Sequence, residues 1–213
     1  MAKRIRLALD WTPNTIHTGF YVAAQKGWYE NVGLELVFSS PDEDNYTLSP
    51  ARKVAEGLAD LAIAPSESVI SFQTKENSVP LLAIAAVLAK DASAIVTLQQ
   101  SGIERPAQLD SKTYASYNAR FEDHIVRQMV INDGGTGDFN LIYPERLGIW
   151  NTLLSGAADA TWIFLPWEGV EARLKGVELN AFQLSEDTRQ WLSAHKFPAG
   201  YVLVLPPGEQ ALG

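Results

Sequence analysis

Apolar and polar positions alternate through residues 4–9, where Ile5, Leu7 and Leu9 share one face, and then the period changes. Over 16–30 the apolar positions fall at helical spacing, with Gly27 and Gly33 as stops. This predicts a strand, a polar turn at Asp10-Trp11-Thr12-Pro13-Asn14-Thr15, and a helix. A strand over 34–38, a helix over 50–58, a buried strand over 61–64 and a helix over 66–76 follow. Two apolar strands, 81–89 and 94–98, close the first half. After Ser101-Gly102 the alternation restarts, with strands predicted over 113–117, 140–143 and 160–164 and helices over 122–131 and 145–154. A short helix over 167–175, a strand over 179–184, a helix over 186–194 and a last strand over 201–205 complete the chain. Strands separated by helical segments predict an α/β fold with a largely parallel sheet.

An internal echo divides this series. Glu56-Gly57-Leu58-Ala59-Asp60 leads through an apolar strand to Pro65-Ser66-Glu67, and Ser155-Gly156-Ala157-Ala158-Asp159 leads through another to Pro166-Trp167-Glu168. Two units built alike, each delivering a Glu where a sheet opens, predict two α/β lobes around a ligand cleft. Lobe 1 covers 1–98, lobe 2 covers 99–197, and 198–213 returns a strand to lobe 1; the hinge residues fall at 97–102 and 197–200.

Composition removes several classes of function. The 213 residues are 46% hydrophobic and 20% charged, the balance of a folded globular chain. Net charge is −8 and no basic run exceeds Lys3-Arg4, so nucleic acid is not an expected partner. The absence of Cys excludes disulfides, thiolate zinc sites and Cys nucleophiles together. His17, His124 and His195 show no ligand spacing, so no metal is expected. The longest apolar stretch, 79–89, is too short to span a bilayer, so no membrane insertion is expected. The first five residues carry charge without an apolar core. As written the chain therefore reads as cytoplasmic, or as periplasmic or extracytoplasmic if it is a mature or trimmed form. Asp133-Gly134-Gly135-Thr136-Gly137-Asp138 looks like a phosphate loop, but it follows a helix and precedes a strand, the reverse of the required order, and reads as a turn.

The polar turn after the first strand sits where open α/β sheets bind ligands. Asp10 supplies a hydrogen-bond acceptor there and Trp11 a flat stacking face; the competing reading of Trp11 is a core indole. The segment from Tyr117 to Glu122 holds the same relative place in lobe 2, where a helix N-terminus can meet an anion or a polar ligand edge. An ordinary capped helix start competes with that, and Arg120 reads as a phosphate contact or a solvated rim residue.

The segment from Asp10 to Thr15, with His17-Thr18-Gly19, Lys26-Gly27-Trp28-Tyr29, Gly33-Leu34-Glu35, Gly57 and Asp60, and the segment from Trp162 to Gly169, resembles a known family. It is the substrate-binding proteins of thiamine-pyrimidine precursor uptake, in a superfamily shared with pyrimidine synthases of thiamine biosynthesis. The resemblance covers almost the whole chain. It implies a type II periplasmic-binding-protein-like fold, a 4-aminopyrimidine ligand such as hydroxymethylpyrimidine or its formylamino relative, and an ABC permease as partner. It also implies ligand-binding residues: Asp10, Trp11 and Asn14 from lobe 1 with Glu67 at its rim, and Tyr117, Phe121, Glu122, Trp162, Trp167 and Glu168 from lobe 2. The chemistry suits that ligand. An indole stacks on a flat heterocycle for about 0.5–1.5 kcal/mol beyond burial. A carboxylate takes the exocyclic NH₂ and a protonated ring nitrogen together, each bond worth about 1.5–3 kcal/mol. Glu168 is the first candidate for that carboxylate and Asp10 the second; the competing reading of Glu168 is an acid favoured by a helix N-terminus.

The departures bear on enzymology. The Lys and His that the synthases use on pyridoxal phosphate fall, by this alignment, at Ala64 and Ser68, and their Cys-rich motif has no counterpart. Without the Lys no Schiff base forms at that site. The expectation is ligand binding without catalysis or cofactor. A synthase-like enzyme acting on pyridoxal phosphate and a cytosolic ligand sensor are the alternatives. Relatives also continue beyond the return strand with helices that complete lobe 1. Those helices read as missing here: the sequence is either a fragment or trimmed form, or a natural short relative that covers the apolar surface they would leave by pairing as a homodimer.

Overall fold

In a computed structural model the described residues are 2–88, 91–119, 121–145, 147–183 and 201–206. Arg120, His195, the helix expected over 186–194 and the hinge expected at 197–200 lie outside them. The chain forms two compact units, Met1–Lys90 with His195–Gly213, and Asp91–Ala194.

The first unit is built on β1 (Lys3–Ala8), α1 (Thr18–Gln25), β2 (Leu34–Ser39), α2 (Pro50–Ala55), β3 (Leu61–Pro65), α3 (Ser66–Gln73), β4 (Leu82–Ala86) and the returning strand, numbered β10 (Tyr201–Leu205). Its sheet has the order β2-β1-β3-β10-β4. Helices α2 and α3 pack Val54, Val69 and Phe72 onto Ala62, Ala64, Val202 and Val204, the small and branched positions that share one face of the sheet. β4 is the edge strand and is exposed at every position.

The second unit contains β5 (Ser93–Leu98), β6 (Thr113–Ala115), α4 (Glu122–Asn132), β7 (Asn140–Ile142), β8 (Ala160–Phe164), α5 (Val170–Leu174) and β9 (Leu179–Gln183), in the sheet order β7-β6-β8-β5-β9. Both faces of this sheet are covered. Ile95, Tyr114 and Ala160 meet Val126 and Val130 of α4 on one side, while Ala94, Val96 and Ile163 meet Ile149, Leu153 and Ala172 on the other. A strand buried on both faces needs a continuous apolar run, which Ala94-Ile95-Val96 supplies.

The two sheets correspond strand for strand. In each, the three strands joined within the unit pair in parallel, and the next strand pairs antiparallel on both sides. Four strands therefore point one way and one is reversed. The reversed strand is β10 in the first sheet and β5 in the second, each the first strand among the described residues after the chain passes from one unit to the other.

Four sequence expectations are corrected here. β5, placed in lobe 1 by a boundary at 98, is an interior strand of the second sheet, and the units divide at Lys90 and Asp91. The hinge expected at 97–102 is consequently internal to the second unit; Thr97 is fully buried there, its hydroxyl donating to the Ile103 carbonyl at 2.9 Å. The helix expected over 145–154 is instead a run of turns over 149–156. Gly148 begins it at φ 145°, outside the helical region, and only scattered i→i−4 bonds follow, among them those of Thr152 and Leu153. The helix expected over 167–175 is a five-residue π-helical turn, Leu165–Gly169, continued by α5.

Candidate functional site

The echo in the sequence is a repeated piece of backbone chemistry. Asp60 donates its N–H to the Arg6 carbonyl at 2.9 Å, and its Oδ2 accepts the Arg6 N–H at 2.7 Å. Asp159 does the same with Thr113, at 2.8 Å in each direction. Each Asp side chain thus adds a rung to a parallel ladder, β1–β3 in one unit and β6–β8 in the other. Gly57 and Gly156, at φ 71° and 74°, supply the left-handed residue that lets the chain turn into it. The rung stands at the start of each pairing, one residue before the Leu7–Leu61 and Tyr114–Ala160 pairs, while the candidate ligand residues stand beyond the other, carboxyl ends of β1 and β6.

In the first unit, Asp10, Asn14 and His17 form one hydrogen-bonded turn. Asn14 Oδ1 accepts the Ile16 N–H at 2.9 Å and its Nδ2 donates to the Thr12 carbonyl at 3.0 Å, so this amide is committed to capping. His17 is fully buried. Its Nδ1 accepts the Asn14 N–H at 3.1 Å and its Nε2 lies 2.6 Å from Asp10 Oδ1. A ring nitrogen that accepts from a backbone N–H carries no proton, so the proton sits on Nε2 and is donated to Asp10. Trp11 is half-buried, its ring centroid 4.9 Å from that of Tyr46 at 51°. Tyr46 follows Asn45, and both are left-handed, at φ 61° and 54°; non-glycine residues hold that conformation only where their surroundings enforce it. The mostly buried Lys53, 2.8 Å from Asp44, anchors the segment. Glu67 is half-buried in the first turn of α3. Ala64 is fully buried in the core, where a lysine ammonium would be desolvated, and Ser68 is half-buried in α3.

In the second unit, Glu168 lies in the π-helical turn Leu165–Gly169, an element frequent at functional sites. Its Oε2 accepts the Phe164 N–H at 3.2 Å, as the helix-start reading expects. Burial raises its carboxyl to about 7 against that donor, and Glu171 adds to the rise. Gly148 abuts it: a Cβ there would lie 3.8 Å from Glu168 Oε1 and 3.3 Å from Asn151 Oδ1. Burial, then the charges of Glu168 and Glu122, lift the Tyr117 phenol well above its usual range, which places that ring in the same electrostatic neighbourhood.

Glu122 is held by its own turn, as the capped-helix reading of this segment expects. It is buried, and its Oε1 accepts from the Tyr114 hydroxyl at 2.7 Å and the Tyr117 N–H at 3.0 Å, while Oε2 accepts the Ala119 N–H at 3.3 Å. Three internal donors make it the fastening of the turn that carries Tyr117. Phe121 is half-buried at the start of α4. Trp162 is half-buried against the core of Tyr114 and Ile95, and Trp167 is exposed on the π-helical turn. The resemblance to a phosphate loop at 133–138 resolves internally. The Thr136, Gly137 and Asp138 N–H groups all point at the Asp110 carboxylate, at 2.6, 2.8 and 3.1 Å, and hold it below its usual range. Among the described residues no cluster of three or more His, Asp or Glu could hold a metal, and no helix is long and apolar enough to cross a membrane.

Residues 14–190 match the family described as NMT1/THI5 like. The chain belongs to this family. It is similar to the formylaminopyrimidine-binding protein of Halalkalibacterium halodurans, 27% identical over 160 residues, which are 73% of this chain and 46% of that protein. A second relative, from Haemophilus influenzae and named for thiamine biosynthesis, is 26% identical over 158 residues, 74% of this chain and 49% of its own. The chain thus spans about half the length of these curated relatives. Among solved structures it is similar to a protein of Bordetella bronchiseptica, with TM-score 0.69, 16% identity and coverage of 95% of this chain and 64% of the other. It also matches the alkanesulfonate-binding protein SsuA of Xanthomonas axonopodis pv. citri, with TM-score 0.62, 13% identity and coverage of 97% and 67%. At such identities the likeness concerns the fold, which is that of the type II periplasmic binding proteins.

Proposed function

We propose that this protein binds a 4-aminopyrimidine precursor of thiamine and performs no chemistry on it. The observation that carries the reading is Glu168: a carboxylate on a π-helical turn, held near neutrality by burial and close enough for its charge to act on the Tyr117 phenol. At pH 7 such a group is both donor and acceptor, and an aminopyrimidine presents the complementary acceptor and donor on one edge. Family membership and the formylaminopyrimidine-binding relative support the ligand class. In this proposal Glu168 and Tyr117, with Trp167 beside them, act from the second unit, and Asp10 and Trp11, with Tyr46 behind the indole, act from the first on the same ligand. Asn14 and Glu122 hold the two turns in shape. The role is uptake or salvage, with an ABC permease as partner, as in the Streptococcus pneumoniae structure described as the substrate-binding protein of an ABC uptake transporter.

Native mass spectrometry of the purified protein with hydroxymethylpyrimidine, its formylamino analogue, thiamine and pyridoxal phosphate tests the reading. A pyrimidine adduct is expected, and Trp11→Ala and Glu168→Gln should each weaken it at least tenfold. Unchanged affinity in both variants sinks the site assignment. A covalent pyridoxal phosphate mass favours the synthase-like alternative. The same spectra give the oligomeric state.

A further inference from the structure

Among the described residues, one group donates a hydrogen bond to the Asp10 carboxylate. The Asp10 side chain is 5% exposed, and that donor is His17 Nε2, at 2.6 Å on Oδ1. An ionised carboxylate has two oxygens that both accept hydrogen bonds, and leaving a buried acceptor unsatisfied costs about 1–3 kcal/mol. The ring that holds it is fixed from the other side. The Asn14 N–H occupies Nδ1 at 3.1 Å, so His17 has only one proton to give and one direction in which to give it. The usual capping box has Glu or Gln at the third helical position; here that position is His, and its second nitrogen carries the box on to Asp10.

We propose that His17 is a positioning residue of the binding site: it locks the Asp10 carboxylate so that the second oxygen, Oδ2, is presented as the acceptor for a ligand N–H. This rests on the pyrimidine-binding reading above and assigns the first unit's polar contact within it. The geometry separates two jobs on one ring, a structural acceptor at Nδ1 and an orienting donor at Nε2. An amide can imitate either alone. Asparagine places its carbonyl near the Nδ1 position and has nothing at Nε2; glutamine places its amide nitrogen near Nε2 and has nothing at Nδ1.

The test measures pyrimidine affinity by calorimetry and thermal stability without ligand, on the wild-type chain, His17→Asn, His17→Gln and Asp10→Asn. His17→Asn is expected to keep the cap, melt lower because the buried Asp10 loses its donor, and lose at least tenfold in affinity. His17→Gln is expected to recover most of that affinity while melting lower, because the cap is lost. Asp10→Asn should lose affinity as His17→Asn does, and combining the two should add less than the sum of the single losses. Affinity that tracks melting temperature across the series, or wild-type affinity in His17→Asn, overturns the inference while leaving pyrimidine binding intact. A wild-type chain that binds no pyrimidine overturns the underlying reading instead, and this inference with it.

Discussion

Glu168 combines a half-buried position, a single backbone donor from Phe164 and a carboxyl raised to about 7, and these together fix how binding should depend on pH. A carboxyl group and a 4-aminopyrimidine edge make two hydrogen bonds only when one proton lies between the second oxygen and the ring nitrogen. Below pH 7 the free protein already carries that proton. Above it the proton must come from solution, so the dissociation constant should rise about tenfold per pH unit. Calorimetry at pH 8.5 in buffers of different ionisation enthalpy should show uptake approaching one proton, and Glu168→Gln should flatten the profile. A wild-type affinity independent of pH between 6.5 and 8.5 contradicts this. The same shift acts on folding. A carboxyl whose folded value is raised stabilises the protein below its ordinary value of 4.5, and that contribution is lost as pH rises through 7. Glu168→Gln should therefore melt higher relative to wild type at pH 8 than at pH 5.

The elements show which parts of the chain local patterning can specify. β8 and β10 begin and end where alternation places them, because every position on those strands is decided by which face it occupies. The segment over 145–154 has helical spacing yet forms turns, because Gly148 takes a backbone angle that the apolar pattern does not encode. β5 reads correctly as a strand but was assigned to the wrong unit. Its pairing with β8 and β9 is set by residues about 65 or more positions away, while the Ser101-Gly102 break that suggested a boundary is only a local turn. The Asp60 and Asp159 turns were legible as a repeat, although the rung that each adds to its ladder was not. Removing one rung should show its weight. Asp159→Ala leaves the Thr113 N–H without its acceptor and should cost about 1–3 kcal/mol in urea unfolding. Asp159→Asn, which keeps an acceptor, should cost less than half as much. Equal effects of the two would mean that the carboxylate's charge matters and the rung does not.

At the scale of the whole molecule, two five-stranded sheets share one strand order, and in each the reversed strand is the first described strand after the chain changes unit. That correspondence explains why the fold class could be read from strand–helix alternation and an internal echo. It also explains why the candidate site was legible only in part. Positions at strand ends, such as Asp10, Trp11, Tyr117 and Glu168, follow from the order of elements. His17, Tyr46 and Tyr114 do not: they depend on a ring tautomer, a pair of left-handed residues and a buried hydroxyl. The central claim is that this assembly recognises an aminopyrimidine, and titration calorimetry of the wild-type chain with formylaminopyrimidine and hydroxymethylpyrimidine at pH 7 tests it most directly. Saturable one-to-one binding is predicted, with a melting temperature that rises with ligand by the amount the measured affinity requires. No heat and no change in melting temperature with either compound would contradict the account.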